Sequence, residues 1–405
     1  MARKLDISRA GPQTLAIHAG EAPDPATGAS SPNIVMSSTF VTERPEGFSA
    51  YELNEESPFI YTRWANPTVR QLERKVAAME GAEAACAFAS GMAAASAILM
   101  SELSASDHLV LSDVAYAGIA ELARDTLPRM GVAVSKVDIS DLAALAVAMR
   151  PETKLVFIDT PCNPLLRLTD IAAAAEIAHE AGARLAVDST FASPIGTQPL
   201  SLGADYVVHS ATKYIGGHGD AIGGLVCGSA ALIRPLVSEA IVHYGGVLSP
   251  FNAWLIARGA ATLPLRMKAH EATALAVARW LDSDPRVARV NYPGLQSHPQ
   301  HELARRQMSN FSGMMSFQLK GAEGDGQAAA ERMGRDLGII HYAVSLGHHR
   351  SLICWMPTEA MIANSFRLEG VQAAAYRDWA GPGIFRLSVG LEDADDLIRD
   401  LDAVL

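Results

Sequence analysis

Short apolar runs alternate with helical patterns between residues 67 and 210, and this alternation predicts the core of the fold. The apolar runs are rich in β-branched residues and predict strands at 84–90, 108–113, 132–139, 154–161, 184–190 and 204–210. The segments with helical periodicity predict helices at 67–81, 91–103, 117–131, 141–149 and 170–182. A repeated strand–helix order of this kind predicts a mostly parallel sheet covered by helices on both faces, so the fold class is α/β.

The pattern changes on both sides of this region. Residues 1–66 are rich in Pro, Ser, Thr and Glu and show little periodicity, which indicates an arm and not a domain. A long helical stretch at 253–282 leads into a segment with fewer and less regular strands. We therefore predict three parts: an arm at 1–66, a ligand-binding α/β domain at 67–257 and a smaller α+β domain at 258–405.

Length and composition agree with two folded domains. The chain has 405 residues, which is longer than one ordinary domain with a single core. Of these residues, 49% are hydrophobic and 19% charged, so a substantial buried interior is expected. The net charge of −11 argues against nucleic acid or an anionic membrane surface as the main partner. The longest apolar run, at 84–100, is interrupted by Ser90 and Gly91, so no membrane span is predicted. Without an apolar N-terminal segment that would indicate secretion, the expected location is the cytoplasm.

The cysteines predict no disulfide and no metal site. They are widely spaced and form no CxxC pair, which is typical of reduced structural thiols: Cys86, Cys162, Cys227 and Cys354. The adjacent pair His348 and His349 has no further ligand at a suitable spacing, so it too is weak evidence for a metal.

The strand ends carry residues suited to an anion. In a parallel sheet, ligands bind outside the carboxyl ends of the strands. Ser90, Gly91 and Met92 turn directly from a strand into a helix, whose first N–H groups can hold an anion. A simple tight turn is the alternative. Ser210 and Thr212 add hydroxyl donors at another strand end, so we predict that one phosphate binds here.

Two charged residues complete this edge of the sheet. Asp188 ends an apolar strand, where a carboxylate caps a helix or pairs with a cation such as a protonated ring nitrogen. Lys213 follows another strand and precedes a run of glycines. A lone lysine there is commonly a surface residue, but an apolar pocket would lower its pKa and make the amine nucleophilic. A phosphate site, a buried carboxylate and an activated lysine together predict a site for pyridoxal 5′-phosphate.

The motifs in this order resemble those of the cysteine/methionine-metabolism family of pyridoxal-phosphate enzymes. The family includes cystathionine γ-synthase, cystathionine lyases, methionine γ-lyase and the O-acylhomoserine sulfhydrylases. The resemblance covers nearly the whole chain and is more specific for the family than for its substrates. The matching segments are HAGE (18–21), YTRWANPT (61–68), ASGMAA (89–94), DTPCNP (159–164), AVDSTF (186–191), SATKYIGGHGDAIGG (210–224), VSLG (344–347) and FRLSVGLED (385–393).

The resemblance implies the fold of aspartate aminotransferase, known as fold type I, in a homotetramer built from catalytic dimers. Lys213 would hold the cofactor's aldehyde as a Schiff base and carry protons, and Asp188 would pair with the ring nitrogen. The phosphate would be bound by Gly91, Met92, Ser210 and Thr212.

The remaining implied roles concern the neighbouring subunit and the substrate. Tyr61 and Arg63 would reach the phosphate in a neighbouring subunit's site. Tyr116 would stack on the cofactor ring and move protons. The substrate would contact Asn163, which would also contact the cofactor's phenolic oxygen. Ser345 and Arg386 would position the substrate's α-carboxylate.

Several positions depart from the family's usual pattern. Gly118 stands where methionine γ-lyases carry a cysteine, and Ser189 stands where Asn is more frequent. The usual SLGGxESL loop is SLGHHRSL here, with His348, His349 and Arg350. The two histidines are either ordinary polar loop residues or part of an altered substrate site.

The resemblance implies elimination or replacement at the γ-carbon of a homoserine-type amino acid, and we favour γ-elimination. Ile60 and Val344 stand where relatives that handle cystathionine carry acidic residues, so cystathionine is not expected to be preferred. Methionine, homocysteine, an O-acylhomoserine or an O-substituted analogue such as canavanine are the expected substrates. The alternatives are a γ-replacement synthase, such as an O-acylhomoserine sulfhydrylase or cystathionine γ-synthase, and a non-catalytic phosphate- or nucleotide-binding module. The chain has no GxxxxGK[ST] motif to favour the last.

Overall fold

The computed structural model describes residues 7, 10–42, 49–52, 57–321 and 326–405. Seven strands form the larger sheet, in the order β1-β7-β6-β5-β4-β2-β3. The strands β2 to β6 pair in parallel, and β7 is antiparallel to both of its neighbours. Their bounds are β1 Ala84–Phe88, β2 His108–Ser112, β3 Ala133–Val137, β4 Thr153–Asp159, β5 Arg184–Asp188, β6 Tyr206–Ser210 and β7 Gly224–Gly228.

Fifteen α-helices are found in the described residues. They are α1 Pro12–His18, α2 Pro67–Glu80, α3 Gly91–Glu102, α4 Ala117–Asp125, α5 Leu142–Ala148, α6 Ile171–Glu180, α7 Ser193–Gly196, α8 Ala230–Pro235, α9 Pro250–Ala260, α10 Leu263–Ser283, α11 His301–Gln307, α12 Gly326–Asp336, α13 Thr358–Ala360, α14 Gly370–Ala380 and α15 Ala394–Asp402. Short 3₁₀ turns lie at Ala50–Glu52, Leu127–Met130 and Pro199–Leu202, and π-helical segments lie at Leu236–Tyr244 and Met361–Phe366.

Helices cover both faces of the larger sheet, as the sequence predicts. On one face, Leu111 and Phe157 pack with Ile98 of α3 and Ile119 of α4. On the other face, residues of α2 and α9 pack over β6 and β7, while α5 and α6 pack over β4 and β5. Burying each large apolar side chain stabilises the fold by roughly 1.5–3 kcal/mol. Because both faces are buried, the central strands are mainly apolar instead of alternating with polar residues, whereas the edge strand β3 is partly exposed.

The helix α2 shows how local signals set an element's bounds. Asn66 caps its start by accepting a hydrogen bond from the N–H of Thr68, and Pro67 occupies its first turn. Gly81 ends it with a φ of +67°, a left-handed conformation that favours glycine. The helix expected at 67–81 is therefore present and ends at Glu80.

Five strands form the smaller sheet, in the order β10-β11-β12-β9-β8. Its core contains stacked rings of Phe317 and Phe385, with α10 packed against it. This second sheet confirms the predicted fold class, a mostly parallel sheet with a smaller α+β part. The division at residues 66 and 257 stays a prediction. The strand bounds are β8 Val287–Asn291, β9 Met314–Leu319, β10 His341–Tyr342, β11 Leu352–Pro357 and β12 Gly383–Ser388.

Two elements differ from the sequence-based expectation. The stretch at 253–282 contains two helices, α9 and α10, because Pro264 has no N–H to bond to the carbonyl four residues earlier and so falls in the first turn of a new helix. The strand β7 was not predicted, since it lies at the end of a glycine-rich run, yet it fills the space between β1 and β6.

All four cysteines are buried and free. Across the described ranges, no helix combines the length and the apolar character needed to cross a bilayer.

Candidate active site

Lys213 lies just after β6, at the carboxyl edge of the larger sheet. Its backbone N–H donates to the carbonyl of Ser210 at 3.1 Å, and its Nζ donates to Ser345 Oγ at 2.8 Å. Burial, followed by the positive charge of Arg386, lowers the pKa of the Lys213 amine to about 8. A larger fraction of this amine is therefore uncharged and nucleophilic near neutral pH than in an ordinary lysine.

The loop that carries Ser345 is seated directly on the lysine segment. Ser345 has a φ of +85°, an uncommon conformation for a residue with a side chain. Two residues later, a Cβ on Gly347 would lie 2.7 Å from the backbone nitrogen of Tyr214, so only glycine allows this approach. The N–H of Gly347 donates to Ser388 Oγ at 2.9 Å, which ties the loop to β12.

Arg386 projects from β12 of the smaller sheet toward the same place. Its Nη1 donates to Asn163 Oδ1 at 3.0 Å, and its Nη2 donates to the carbonyl of Ser345 at 3.0 Å. The side chain is 7% exposed, and no carboxylate pairs with it in the part of the chain that the structure describes. A buried guanidinium that lacks an acidic partner suits a ligand carboxylate, which it can bind with two hydrogen bonds.

Two carboxyl groups lie side by side at the ends of β4 and β5. Asp159 and Asp188 are in register on these parallel strands. Burial raises the pKa of Asp188, and its hydrogen bonds from Thr190 partly oppose that shift. Burial, then the neighbouring Asp188, raises the pKa of Asp159 well above its usual value. A cation beside Asp188 would stabilise its ionised form, as a protonated ring nitrogen would.

Sequence reasoning gave Asp159 no role, although it is 6% exposed beside Asp188. The signal was present, because both aspartates end consecutive parallel strands that we expect to be neighbours. What the sequence does not contain is the register, which places the two carboxyl groups directly opposite each other.

The start of α3 and the end of β6 meet closely. Ser90 caps α3 by accepting from the N–H of Ala93 at 3.1 Å, which leaves the N–H groups of Gly91 and Met92 at the helix start. A Cβ on Gly91 would lie 2.8 Å from the Cβ of Ser210, so glycine is required for this contact. Helix N–H groups beside a serine form a suitable anion site.

Thr212 is hydrogen-bonded to Gly223, the residue that precedes β7, close to the start of α3. Its Oγ1 accepts from the N–H of Gly223 at 3.1 Å, and the next residue, Gly224, lies so close to Ser90 that a Cβ would meet the Ser90 carbonyl at 2.1 Å. The four residues predicted to bind phosphate therefore belong to one compact region.

Tyr116 stands at the start of α4 with 48% of its surface exposed. A Cβ on Gly118 would lie 2.9 Å from the Met92 sulfur and 3.1 Å from the Tyr116 ring. This crowding gives a physical reason for Gly118, since a larger side chain there would displace Met92 or Tyr116. The ring of Tyr116 is thus held near the start of α3.

Tyr61 and Arg63 lie elsewhere in the chain, on the arm. The Nη1 of Arg63 donates to the carbonyl of Val242 in the first π-helical segment, and its guanidinium lies 5.4 Å from the centroid of the Tyr61 ring. Arg63 also lines a cavity of about 370 Å³ between the arm and the larger sheet, to which Lys213 does not contribute. The described hydrogen bonds of this chain do not link either residue to Lys213 or Ser210.

The loop contains a further residue of the site that sequence reasoning did not assign. His348 Nε2 lies 3.3 Å from Ser345 Oγ, the same oxygen that Lys213 Nζ contacts. The departure of SLGHHRSL from the usual loop was the only sequence signal for it.

These groups fit pyridoxal 5′-phosphate. The region of Gly91, Met92, Ser210 and Thr212 suits the phosphate, since a Cβ on Gly91 would fill the contact with Ser210. The carboxyl of Asp188 at the end of β5 suits the ring nitrogen, and the Lys213 amine suits the aldehyde.

Comparisons with known proteins agree with this arrangement. A family profile described as "Cys/Met metabolism PLP-dependent enzyme" matches residues 13–405. The chain is 41% identical to a canavanine γ-lyase from Pseudomonas canavaninivorans, over 99% of this chain and 98% of that protein. It is 43% identical to an O-succinylhomoserine sulfhydrylase from Pseudomonas aeruginosa, over 98% of this chain and 95% of that protein. A crystal structure of metB from Corynebacterium glutamicum superposes with a TM-score of 0.88 and 38% identity, covering 99% of both chains.

Proposed function

Because this chain belongs to the Cys/Met metabolism family of pyridoxal-phosphate-dependent enzymes, we propose that it catalyses γ-elimination on an L-amino acid of the homoserine type. The bond between Cγ and a sulfur or oxygen atom breaks, and the products are a leaving group, a 2-oxo acid and ammonia. The observation that carries the proposal is one hydrogen-bonded set, in which Ser345 contacts the Lys213 amine through its hydroxyl and the Arg386 guanidinium through its carbonyl.

The chain's own residues divide the work between binding and proton transfer. Arg386 and Asn163 bind and orient the substrate's α-carboxylate, and Ser345 holds the lysine amine beside it. Pyridoxal phosphate, when bound, supplies a ring that stabilises negative charge at the substrate's Cα. Lys213 takes a proton from Cα and then one from Cβ, for which a pKa of about 8 suits a base at neutral pH.

The cofactor-holding residues of this proposal are those of the sheet edge. Gly91, Met92, Ser210 and Thr212 bind the phosphate, and Asp188 keeps the ring nitrogen protonated. Tyr116 stacks on the ring, which its exposed position at the start of α4 supports.

We propose that Tyr61 and Arg63 serve the phosphate in a neighbouring subunit, within a homotetramer of catalytic dimers. Their position on the arm, away from this chain's own Lys213 network, supports that assignment. The buried free cysteines support a cytoplasmic location, where thiols stay reduced.

The substrate's tail distinguishes the candidates. Val344 is 78% exposed beside Ser345, and Ile60 offers no charge, so neither can pair with the distal ammonium of cystathionine. Losing such a charge-assisted hydrogen bond costs roughly 1.5–3 kcal/mol, or about tenfold or more in kcat/KM. We therefore propose methionine, homocysteine or an O-substituted homoserine analogue such as canavanine as the substrate.

A second candidate is γ-replacement, in which a thiol adds at Cγ after the leaving group departs. The 43% identity to the sulfhydrylase supports it. The third interpretation, a non-catalytic phosphate-binding module, is set aside because the family consists of enzymes.

A substrate panel tests the proposal. Purified enzyme is supplied with methionine, homocysteine, canavanine, O-acetylhomoserine, O-succinylhomoserine and cystathionine, each with and without sulfide, and kcat/KM is measured for every one. We expect 2-oxo acid and ammonia to dominate over products in which a thiol has added at Cγ, with Lys213→Ala as the inactive control. Cystathionine as the best substrate, or products formed mainly when sulfide is present, would contradict γ-elimination on the proposed substrates.

A further inference from the structure

A continuous hydrogen-bonded chain runs from Lys213 through Ser345 to His348. Lys213 Nζ lies 2.8 Å from Ser345 Oγ, and the same oxygen lies 3.3 Å from His348 Nε2. The serine hydroxyl has one hydrogen, and its oxygen also accepts. If it accepts from the lysine, its own hydrogen is available to the imidazole, so the chain can carry a proton in one direction.

The position of the His348 ring is set by the backbone around it. Gly219 has a φ of +72°, and a Cβ there would lie 2.8 Å from both Cε1 and Nδ1 of the ring. Gly347 seats the preceding loop on the Lys213 segment, as described above. The ring is partly exposed and so connects the amine with solvent. An ordinary surface histidine needs neither of these glycine contacts.

Several charged or titratable groups surround the imidazole. Burial, then the charge of Lys213, then His349, lowers the pKa of His348, and Asp220 on the glycine-rich loop partly opposes that shift. The ring of His218 lies against His349, with centroids 5.7 Å apart. The imidazole is therefore mainly neutral near neutral pH, and a neutral imidazole can accept a proton and release it again.

We propose that His348 is a positioning residue that exchanges protons between Lys213 and solvent through the Ser345 hydroxyl. In this relay the Nζ–H proton passes to Ser345 Oγ while the Oγ–H proton passes to His348 Nε2. The charged lysine and neutral imidazole become a neutral lysine and an imidazolium, which then gives its proton to water. No atom or electron is gained or lost.

The relay allows the protonated Lys213 to release its proton to solvent. This inference rests on the proposed γ-elimination. One amine can take a second proton from the substrate only after it has passed on the first. With the relay intact, hydrogen taken from Cα is exchanged with water. Without it, the same hydrogen stays on Lys213 for longer and is delivered more often to Cβ or Cγ of the molecule from which it came.

Three variants separate the role of His348 as a hydrogen-bond acceptor from its role in proton transfer. His348→Phe removes both roles. His348→Gln keeps an acceptor for the Ser345 hydroxyl but cannot carry a proton at neutral pH. His349→Gln is the matched control, since His349 is the neighbouring histidine and has no hydrogen bond to Ser345 among the described residues.

The first measurement follows deuterium. Each enzyme converts the substrate that wild type uses best, deuterated at Cα, in ordinary water. Cα becomes the carbonyl carbon of the 2-oxo acid and keeps no hydrogen, so mass spectrometry measures the deuterium that Lys213 has delivered to Cβ or Cγ of the product. We expect His348→Phe and His348→Gln to raise retention roughly tenfold, below the 10²–10⁴-fold effect of a direct acid–base group, because Ser345 can still exchange with water. His349→Gln should stay far closer to wild type than either His348 variant, since it keeps the contact between His348 and Ser345 and removes only one of the influences that lower the pKa of His348.

The second measurement needs no turnover. The pH dependence of Lys213 acetylation in the full chain without cofactor gives the midpoint of its titration. We expect the midpoint to fall in His348→Phe, since Ser345 loses the acceptor that orients it toward the ammonium, and to stay near the wild-type value in His348→Gln and His349→Gln.

The outcomes are distinct. High retention together with an unchanged amine midpoint in His348→Gln supports the relay. Wild-type retention in both His348 variants overturns it, even if elimination proceeds. If wild-type enzyme converts no substrate of the panel, the proposed γ-elimination fails, while the acetylation midpoints still decide whether His348 acts on Lys213. Equal midpoints in all four proteins would then overturn the inference.

Discussion

Lys75 is fully buried and Lys213 is partly buried, and their partners explain why only Lys213 is suited to chemistry. Lys75 Nζ lies 2.9 Å from a carboxylate oxygen of Glu21 and also donates to the carbonyl of Ala16, so its charge is compensated. Lys213 has a hydroxyl partner in Ser345 and a nearby positive charge in Arg386. Burial therefore lowers the pKa of Lys213 to about 8 without a carboxylate to raise it again.

This environment predicts the pH dependence of cofactor uptake. Only the uncharged amine attacks an aldehyde, so the rate at which the apoenzyme regains its cofactor should rise with pH, reach half of its maximum near pH 8 and level off about one pH unit higher. At pH 7 about one tenth of such an amine is uncharged, against roughly 0.03% of an ordinary lysine. Stopped-flow absorbance across pH 6–10 measures this.

Arg386→Gln provides the matched variant for that experiment. Since the guanidinium's charge lowers the pKa of Lys213, its removal should move the midpoint to higher pH. A wild-type midpoint near that of free lysine would show that Lys213 is not the perturbed amine described here.

At the scale of elements, the site depends on how closely α3 approaches β6. The helix starts at Gly91, where a side chain would meet Ser210, and β7 brings Gly224 even closer to Ser90. Both glycines lie where backbone must approach backbone or a serine. The contact between these elements, more than any single side chain, shapes the region assigned to phosphate.

We therefore expect Gly91→Ala to weaken cofactor binding. The added Cβ would lie 2.8 Å from that of Ser210, so the helix start or the strand end must shift. Loss of one or two hydrogen bonds to the phosphate, at about 1.5 kcal/mol each, corresponds to a roughly ten- to hundredfold rise in Kd.

Equilibrium dialysis against the cofactor measures this Kd. Gly11→Ala is the control, because Gly11 also stands at a helix start but an added Cβ there would meet no other atom within 4 Å. Cofactor binding by Gly91→Ala equal to that of wild type would contradict the assignment of phosphate to this region.

At the scale of the whole molecule, the site is assembled from both sheets. Lys213 follows β6 of the larger sheet, Arg386 lies on β12 of the smaller one, and Ser345 lies on the loop between β10 and β11. Correct docking of the two sheets is therefore a condition for activity. Arg63 extends the same principle to a second chain in the proposed assembly.

Mixing two inactive variants tests that extension. Arg63→Ala lacks the residue that the arm would supply, and Lys213→Ala lacks the amine. In a mixed dimer one of the two sites receives both intact residues, so complete exchange should restore roughly a quarter of wild-type activity. Activity is measured after subunit exchange, which labelled chains verify by mass spectrometry.

Each variant incubated alone is the control, and both should stay weakly active or inactive. If labelled chains exchange and the mixture still shows no gain, Arg63 does not serve a neighbouring site.

The sequence by itself determined the α/β class, because strand–helix alternation and apolar strands leave few other folds. It also identified Asp188, Ser210 and Lys213 together, since the carboxyl ends of parallel strands must meet at one edge. Local signals such as Asn66 and Gly81 set the bounds of a helix, whereas the break before Pro264 was missed although proline marks it.

Only the tertiary structure decided which distant residues touch. Ser345 lies 132 positions from Lys213, and Asn163 lies 223 positions from Arg386, yet each pair is hydrogen-bonded. The same holds for β7, which becomes a strand because two neighbours offer it hydrogen bonds, and for His348, which becomes part of the site because Gly219 leaves room for its ring. Periodicity and turn chemistry act over a few residues, whereas these contacts depend on how the two sheets pack, which no local pattern encodes.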